Sequence, residues 1–181
     1  MEFQKTSLQD AFLIKPKVFD DERGFFMESY TKKALQEAGI EADFVLDCHS
    51  MSVTKGVLRG LHFQKPPHTQ AKLVRVTKGT VYDVIVDLRK DSPTFGKWEG
   101  FELSALNRWQ LFVPRGFAHG FCTTEDYTEF QYKCDNFYAP ESEDGVIWND
   151  PDLKIFWPVE NPILSDKDKK LPSFKDFNSP F

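Results

Sequence analysis

Three side chains that can move or hold charge lie within fourteen residues of one another, from Arg59 through His62 to Lys72. An imidazole can accept a proton near neutral pH, whereas a guanidinium and an ammonium can hold an anion or stabilise a developing negative charge. A histidine in apolar company is more often a core residue than a catalyst. The segment by itself therefore leaves both interpretations of His62 open.

If residues 57–64 form a strand, side chains two apart project to the same face. The alternation predicts two sets on opposite faces: Leu58, Gly60 and His62 on one, and Arg59, Leu61 and Phe63 on the other. Residues 81–88 alternate in the same way, with Tyr82, Val84, Val86 and Leu88 on one face and Val81, Asp83, Ile85 and Asp87 on the other. Structural hydrogen bonding is the commoner role for aspartates placed like Asp83 and Asp87.

The elements around these residues are mostly short strands. Further strands are predicted at residues 25–30, 98–103, 110–113, 117–123 and 129–134, separated by Gly- and Pro-containing turns. Many short strands at about ten-residue spacing predict an all-β antiparallel sandwich or barrel. The best helix covers residues 31–38, with Thr31 as N-cap and Gly39 just past its end. The tail from Pro158 is predicted to be a solvated surface segment.

Length and composition limit the possible functions. We expect one domain over residues 1–181, with a core supported by a hydrophobic fraction of 40%. The net charge of −5 gives no reason to expect nucleic acid or an anionic membrane as a partner, so an anionic ligand would need a local cluster of cations.

Several classes of site are not indicated. The three cysteines form no CxxC pair, and Gln64 stands two residues after His62, where many small β-barrels have a second metal-binding histidine. We therefore expect no metal and no cofactor. A Gly-rich phosphate loop, a GxSxG motif and an HExxH motif are also missing. The first residues lack a signal-peptide pattern and no apolar run approaches a bilayer span, so we expect a cytoplasmic protein.

Two further segments carry side chains that chemistry could use. His119 lies between two glycines in residues 116–120, a context that allows either close approach to a ligand or a strand bend. Tyr132 lies two residues from both Phe130 and Cys134, so the three side chains share one strand face, which is predicted to point inward. Its common role is a core aromatic with a hydrogen-bonded hydroxyl.

Read together, these segments resemble the dTDP-4-dehydrorhamnose 3,5-epimerase family of the cupin superfamily over about residues 3–172. The matching motifs are DERGFFMES (21–29), VLRGLHFQ (57–64), QAKLVR (70–75), YDVIVDLR (82–89), SPTFGKW (92–98), PRGFAHGF (114–121), EFQYK (129–133), WNDP (148–151) and LSDKD (164–168). The resemblance implies an antiparallel jelly-roll (cupin) barrel with short helices near the N- and C-termini. It also implies a homodimer in which an N-terminal strand reaches the partner's site.

The implied substrate is a dTDP-linked 4-keto-6-deoxyhexose, whose C3 and C5 hydrogens both lie next to the C4 ketone. By this resemblance His62 is the base, Lys72 stabilises the enolate oxygen, and Tyr132 returns a proton from the other face. Asp168 is implied as the partner that orients His62, and Asp83 is the alternative for that role. The same residues could also serve a C3-only or C5-only epimerase or a 3,4-ketoisomerase, and a non-catalytic sugar-nucleotide-binding cupin is a further alternative.

The resemblance also implies a set of substrate contacts. Arg23 and Arg59 match the diphosphate contacts, Lys167 another anion or nucleotide contact, and Tyr138 the residue that stacks on thymine. Other matching positions are Glu28, Asp47, His119 and Glu143. The family's usual Gln-Asp-Asn-His reads here as Leu46, Asp47, Cys48 and His49. The nucleotide contacts there, and how strictly thymidine is required, are therefore left open.

Overall fold

Short apolar runs bounded by Gly, Pro and Asp become strands in the computed structural model, which describes residues 1–181. The elements are β1 Glu2–Lys5, β2 Phe12–Lys15, β3 Val18–Asp21, β4 Gly24–Met27, α1 Lys32–Glu37, β5 Leu46–Ser52, β6 Leu58–Gln64, β7 Lys72–Lys78, β8 Thr80–Asp87, β9 Trp98–Ser104, β10 Gln110–Val113, β11 Phe117–Thr123, β12 Thr128–Cys134 and β13 Glu143–Gly145. Single 3-10 turns occur at Pro140–Ser142, Asp168–Lys170 and Phe174–Asp176. The all-β prediction is confirmed, and the helices expected near the C-terminus are these turns.

Two antiparallel sheets form the body of the protein. One has six strands in the order β1-β2-β10-β7-β12-β5, the other has five in the order β13-β6-β11-β8-β9, and β3 and β4 form a separate hairpin. The main core lies between the sheets, where Val74, Leu111 and Phe130 from the first meet Val81 and Ile85 from the second. Functional side chains that point inward from either sheet therefore share one interior.

The alternation predicted for β8 is confirmed. Val81 and Ile85 belong to the core between the sheets, while Val84 and Val86 pack on the outer face of the five-stranded sheet. The helix prediction is also confirmed, because the Thr31 side chain accepts a hydrogen bond from the Ala34 amide and Gly39 has φ +80° just after the helix. No helix in the structure is both long enough and apolar enough to cross a bilayer.

The C-terminal tail is not the solvated segment that its composition predicted. Leu164, Phe174 and Phe177 pack on the outer face of the five-stranded sheet, and Asp168 is buried. Phe63 of β6 makes an edge-to-face contact with Phe177, with ring centroids 5.2 Å apart. The tail therefore closes a sheet face that would otherwise expose large apolar side chains, and it brings its polar residues to β6.

The face assignment for β6 was wrong because the strand contains a bulge. His62 pairs with His119, but Arg59 pairs with Phe121, so β6 has one more residue than β11 between these pairs. Gly60 lies in this stretch with φ +126°, and a Cβ there would approach the Gly120 Cα to 2.6 Å. Because the bulge resets the alternation, Arg59 and His62 face the same cavity.

Candidate active site

A cavity of about 420 Å³ opens between the two sheets beside the tail. It brings together most of the predicted catalytic and binding residues: Arg59, His62, Lys72, His119, Tyr132, Lys167 and Asp168. Arg59 and His62 come from β6 and His119 from β11, while Lys72 and Tyr132 come from β7 and β12 on the opposing sheet. The site thus has two walls, each supplied by one sheet.

His62 is held by a carboxylate from the tail. Its Nε2 lies 2.5 Å from Asp168 Oδ1. Burial alone would raise the pKa of Asp168, but the contacts with His62, Ser165 and the Gly60 backbone outweigh it and hold the pKa below its ordinary value. Since the ionised carboxylate only accepts hydrogen bonds, Nε2 is the donor and Nδ1 remains free to take up a proton.

Tyr132 faces this histidine from the opposing wall. It is half-buried and pairs across the strands with Cys48 of β5. Burial, and next to it the contact with Cys48, raise the pKa of the Tyr132 hydroxyl, while Arg59 opposes the shift. The hydroxyl is therefore protonated at neutral pH and is a proton donor. Cys48 stands where the family pattern has an amide, and no local pattern predicts that it lies opposite Tyr132.

Lys72 begins β7 and points inward, directly opposite Cys134. Its ammonium takes part in none of the salt bridges or hydrogen bonds between side chains of this chain. Burial lowers the pKa of Lys72, and nearby Cys134, Asp83 and Glu143 oppose that effect. An unpaired ammonium in a cavity wall is placed to meet negative charge on a bound molecule.

Asp83 does not contact His62. Its two carboxylate oxygens lie 3.1 and 3.0 Å from His119 Nε2, and the carboxylate is completely buried. Burial raises the pKa of Asp83, opposed by His119 and Lys72. Of the two aspartates considered for His62, the structure therefore brings only Asp168 to it.

A chain of contacts leads from the cavity rim to the surface. The Tyr138 hydroxyl donates to Glu143 Oε2 at 2.6 Å, and Lys167 Nζ lies 2.5 Å from the same oxygen. Tyr138 is 58% exposed, so its ring is accessible to a planar ligand. Burial favours the neutral acid of Glu143, but Lys167 and Tyr138 together hold its pKa below the ordinary value.

Five predicted substrate contacts do not line the cavity of their own chain. Tyr138 and Glu143 are linked to it through Lys167, whereas the other three lie elsewhere on the surface. Arg23 is at the tip of the β3–β4 hairpin, 85% exposed, and pairs with Asp21. Glu28 borders a small surface depression with Lys17 and Phe19. Asp47 lies on β5 and pairs with Lys133 at 2.7 Å.

The structure contains no group of three or more His, Cys, Asp or Glu side chains placed to hold a metal ion.

Two residues that shape the site were not predicted from the sequence, Gly60 at the bulge and Ser165 beside Asp168. An isolated glycine inside a strand pattern is a recognised sign of a bulge. Ser165 approaches Asp168 only through the turn of the tail, which no local pattern announced.

Comparison with known proteins agrees with this geometry. The model of the family described as dTDP-4-dehydrorhamnose 3,5-epimerase matches residues 5–176. A dTDP-4-dehydrorhamnose 3,5-epimerase from Shigella flexneri is 56% identical over 173 residues, which cover 95% of either chain.

Solved structures give the same result. The epimerase of that name from Bacillus anthracis, with TDP and PPi bound, has a TM-score of 0.94 and 54% identity, covering 96% of this chain and 99% of its own. The dTDP-6-deoxy-D-glucose-3,5-epimerase from Legionella pneumophila, in complex with dTDP-4-keto-L-rhamnose, has a TM-score of 0.93 and 45% identity, covering 98% and 94%. The chain has the jelly-roll fold of these proteins and belongs to the dTDP-4-dehydrorhamnose 3,5-epimerase family.

Proposed function

We propose that this chain epimerises dTDP-4-dehydro-6-deoxy-D-glucose at C3 and C5 to dTDP-4-dehydro-L-rhamnose, with His62 as base and Tyr132 as acid. One observation carries the assignment of roles: His62 and Tyr132 project into one cavity from opposing sheets. Inversion at carbon needs a proton removed from one face and another delivered to the opposite face. Two groups on facing walls meet that requirement without moving the sugar between them.

The proton transfers balance at each carbon. His62 Nδ1 takes the proton from C3 or C5, the C–H electron pair moves into the bond toward C4, and the ketone oxygen becomes an enolate. Tyr132 then gives its hydroxyl proton to the opposite face of the carbon while the ketone reforms. Solvent removes the proton from His62 and returns one to Tyr132, so each inverted carbon acquires one solvent hydrogen.

Lys72 supplies the charge that makes the enolate accessible. A ketone α-proton is far too weakly acidic for an imidazole unless the developing oxyanion is stabilised. The Lys72 ammonium is inside the cavity and has no ion-pair partner in this chain, so it can turn to the C4 oxygen. We assign it that role.

The nucleotide half of the substrate needs cations and a flat surface. Arg59, reset to the cavity side by the bulge, and Lys167 at the rim are the candidate diphosphate contacts, because a guanidinium fork matches phosphate oxygens. The exposed ring of Tyr138 is the candidate stacking surface for thymine, held by its hydrogen bond to Glu143. His119 on the cavity wall is a further candidate contact to the sugar.

Arg23 and Glu28 suit a homodimer in which each chain contributes to the other's site. Both lie outside the cavity of their own chain, next to Phe25 and Phe26, which are 53% and 65% exposed at the hairpin. Mixing inactive His62→Asn protein with Arg23→Ala protein tests this arrangement. Activity is regained if Arg23 acts across the interface, because one site per mixed dimer then has both residues. No gain from mixed dimers, or a monomer in gel filtration, would contradict the proposal.

Incubation of the substrate with the protein in D₂O tests the reaction itself, with the product read by NMR. Deuterium at both C3 and C5 together with the L-rhamno configuration is the expected result. Label and inversion at one carbon only would assign a single-position epimerase. Movement of the carbonyl to C3 would assign a 3,4-ketoisomerase, and no label at all would leave a binding protein.

A further inference from the structure

Asp83 is a completely buried carboxylate that the proposed proton transfers do not use. It lies on β8, faces the core between the sheets, and is bound to His119 of the neighbouring strand. A buried carboxylate that only fills space is costly, because burial disfavours its charge. A buried charge in this position, beside the cavity, is expected to act on the residues of the cavity.

The contact between Asp83 and His119 indicates an ionised carboxylate. His119 Nε2 is nearly equidistant from the two oxygens, at 3.1 and 3.0 Å. An N–H that points between two equivalent acceptors gives this arrangement, whereas a protonated acid would direct one short O–H bond at the ring. With Nε2 occupied in this way, His119 presents Nδ1 as its remaining polar atom.

Asp83 and Lys72 point into the same interior from opposing sheets, since β8 and β7 belong to different sheets, and Lys72 lines the same cavity as His119, which Asp83 binds. Among the carboxylates, Asp83 has the largest effect in raising the pKa of Lys72. Cys134, directly opposite Lys72, carries no charge at neutral pH because burial raises its thiol pKa to about 11. Glu143 has a smaller effect on the pKa of Lys72 than Asp83 and is already bound to Lys167 at 2.5 Å. The other titratable or charged groups around the cavity are Cys48 on β5, Arg59 and His62 on β6, His119 on β11, Tyr132 on β12, and Lys167 and Asp168 on the tail.

We propose that Asp83 is a positioning residue for the reaction: it fixes the His119 ring through Nε2 and is the buried counter-charge that keeps Lys72 protonated beside the sugar ketone. The inference rests on the proposed function, in which Lys72 must be an ammonium to stabilise the enolate. Asp83 acts through these two residues and does not touch the substrate.

The Asp83→Asn variant removes the charge but keeps an oxygen that can accept from His119. Asp87→Asn is the matched control, since Asp87 is equally buried on the same strand but binds Arg89, Ser92 and Thr94 instead. The pH dependence of Lys72 acylation by an amine reagent, read by peptide mass spectrometry, reports the Lys72 pKa without substrate. We expect that pKa to fall by about one unit or more in Asp83→Asn and to stay unchanged in Asp87→Asn.

Activity gives a second readout. Because activity is lost as pH rises through the Lys72 pKa, the alkaline limb of kcat should move to lower pH in Asp83→Asn, with kcat at neutral pH reduced about tenfold or more. Binding of dTDP should stay within about threefold of wild type. A one-unit fall in the Lys72 pKa corresponds to about 1.4 kcal/mol, and its effect is confined to the sugar end of the substrate, which dTDP lacks. Asp87→Asn should keep the wild-type profile.

An unchanged Lys72 titration in folded Asp83→Asn protein would overturn the proposal. If that variant does not fold, Lys72→Met replaces it: the Asp83 carboxyl, followed by ¹³C NMR, must then titrate at higher pH than in wild type, and no change overturns the idea equally. Failure of the proposed function is a separate result. The wild-type protein would then incorporate no deuterium into the sugar, whether or not the Lys72 pKa depends on Asp83.

Discussion

Two aspartate–histidine pairs lie side by side in this protein, and their histidines are directly opposed on β6 and β11. In the first, Asp168 comes from the tail, 106 residues from His62, whose side chain is 27% exposed. In the second, Asp83 comes from the neighbouring strand, and His119 is only 7% exposed. The same two functional groups are thus held at two depths of one cavity wall.

Depth separates what the two pairs can do. At Asp168 the hydrogen bonds and the charge of His62 outweigh burial and lower the carboxyl pKa, whereas at Asp83 burial dominates and raises the carboxyl pKa. The outer histidine has an open nitrogen and a route for its proton to solvent, as a base that turns over requires. The inner one is enclosed, so it suits a fixed contact next to Lys72.

Exchanging the two histidines for asparagine, one at a time, tests this division most severely. His62→Asn should lose deuterium incorporation at both C3 and C5 by about 10²–10⁴-fold, the usual value of a positioned base. His119→Asn should keep incorporation at both carbons and lose roughly tenfold in kcat, the value expected for loss of one hydrogen bond. NMR of the sugar in D₂O reads both. If His119→Asn lost more deuterium incorporation than His62→Asn, the assignment of His62 as the base would be reversed.

The bulge that places the two histidines opposite each other can be tested with two glycines that share a φ of +126°. At Gly60 a Cβ would collide with the Gly120 Cα and the His119 carbonyl, whereas at Gly24 nothing lies within 4 Å. Gly60→Ala should therefore cost about 3 kcal/mol or more, from backbone strain and overpacking together. Gly24→Ala should cost only about 1–2 kcal/mol of backbone strain.

Urea unfolding of both variants measures the difference between their free energies of unfolding. The D₂O assay then measures the activity of the variants that fold. In Gly60→Ala protein that remains folded, deuterium incorporation should be weakened, because Arg59 and His62 no longer share the cavity in the same way. Equal costs at the two glycines would mean that the close approach of β6 to β11 is not needed.

Much of the fold could be predicted from local patterns. Gln110–Val113 and Phe117–Thr123 form strands with the predicted bounds, because short apolar runs and flanking Pro or Gly residues are both local signals. The two faces of β8 follow from the same period. The titratable side chains that line the cavity were all predicted too, but through resemblance to a family and not through spacing.

The errors share a physical cause, which is that they depend on parts of the chain distant in sequence. The bulge at Gly60 is required only because Gly120 packs against it, 60 residues away. The tail is buried only because a sheet face carrying Phe63 exists for Phe177 to cover. No periodicity inside either segment records the partner, so alternation put Arg59 on the wrong face and composition put the tail in solvent.

The two carboxylates also predict opposite effects of pH on stability, which is the finest test of the comparison. The pKa of Asp168 is lower in the folded protein than in the unfolded chain, so its pair contributes stability above the ordinary aspartate pKa of about 3.9, and this is lost as pH falls through the folded value. The pKa of Asp83 is raised on folding, so its ionisation costs stability as pH rises above about 3.9. Urea unfolding from pH 3 to 7 therefore separates them.

Asp168→Asn should match wild type at the acid end and fall behind it by about 1–2 kcal/mol as pH rises. Asp83→Asn should behave in the opposite way, with its stability relative to wild type improving as pH rises. Asp87→Asn should also lose stability relative to wild type as pH rises, as Asp168→Asn does. The contacts of Asp87 with Arg89, Ser92 and Thr94 outweigh burial and lower the pKa of its carboxyl. If both site variants lost stability together with rising pH, the two pairs would be electrostatically alike, and depth in the cavity would not be what distinguishes the base from the fixed contact.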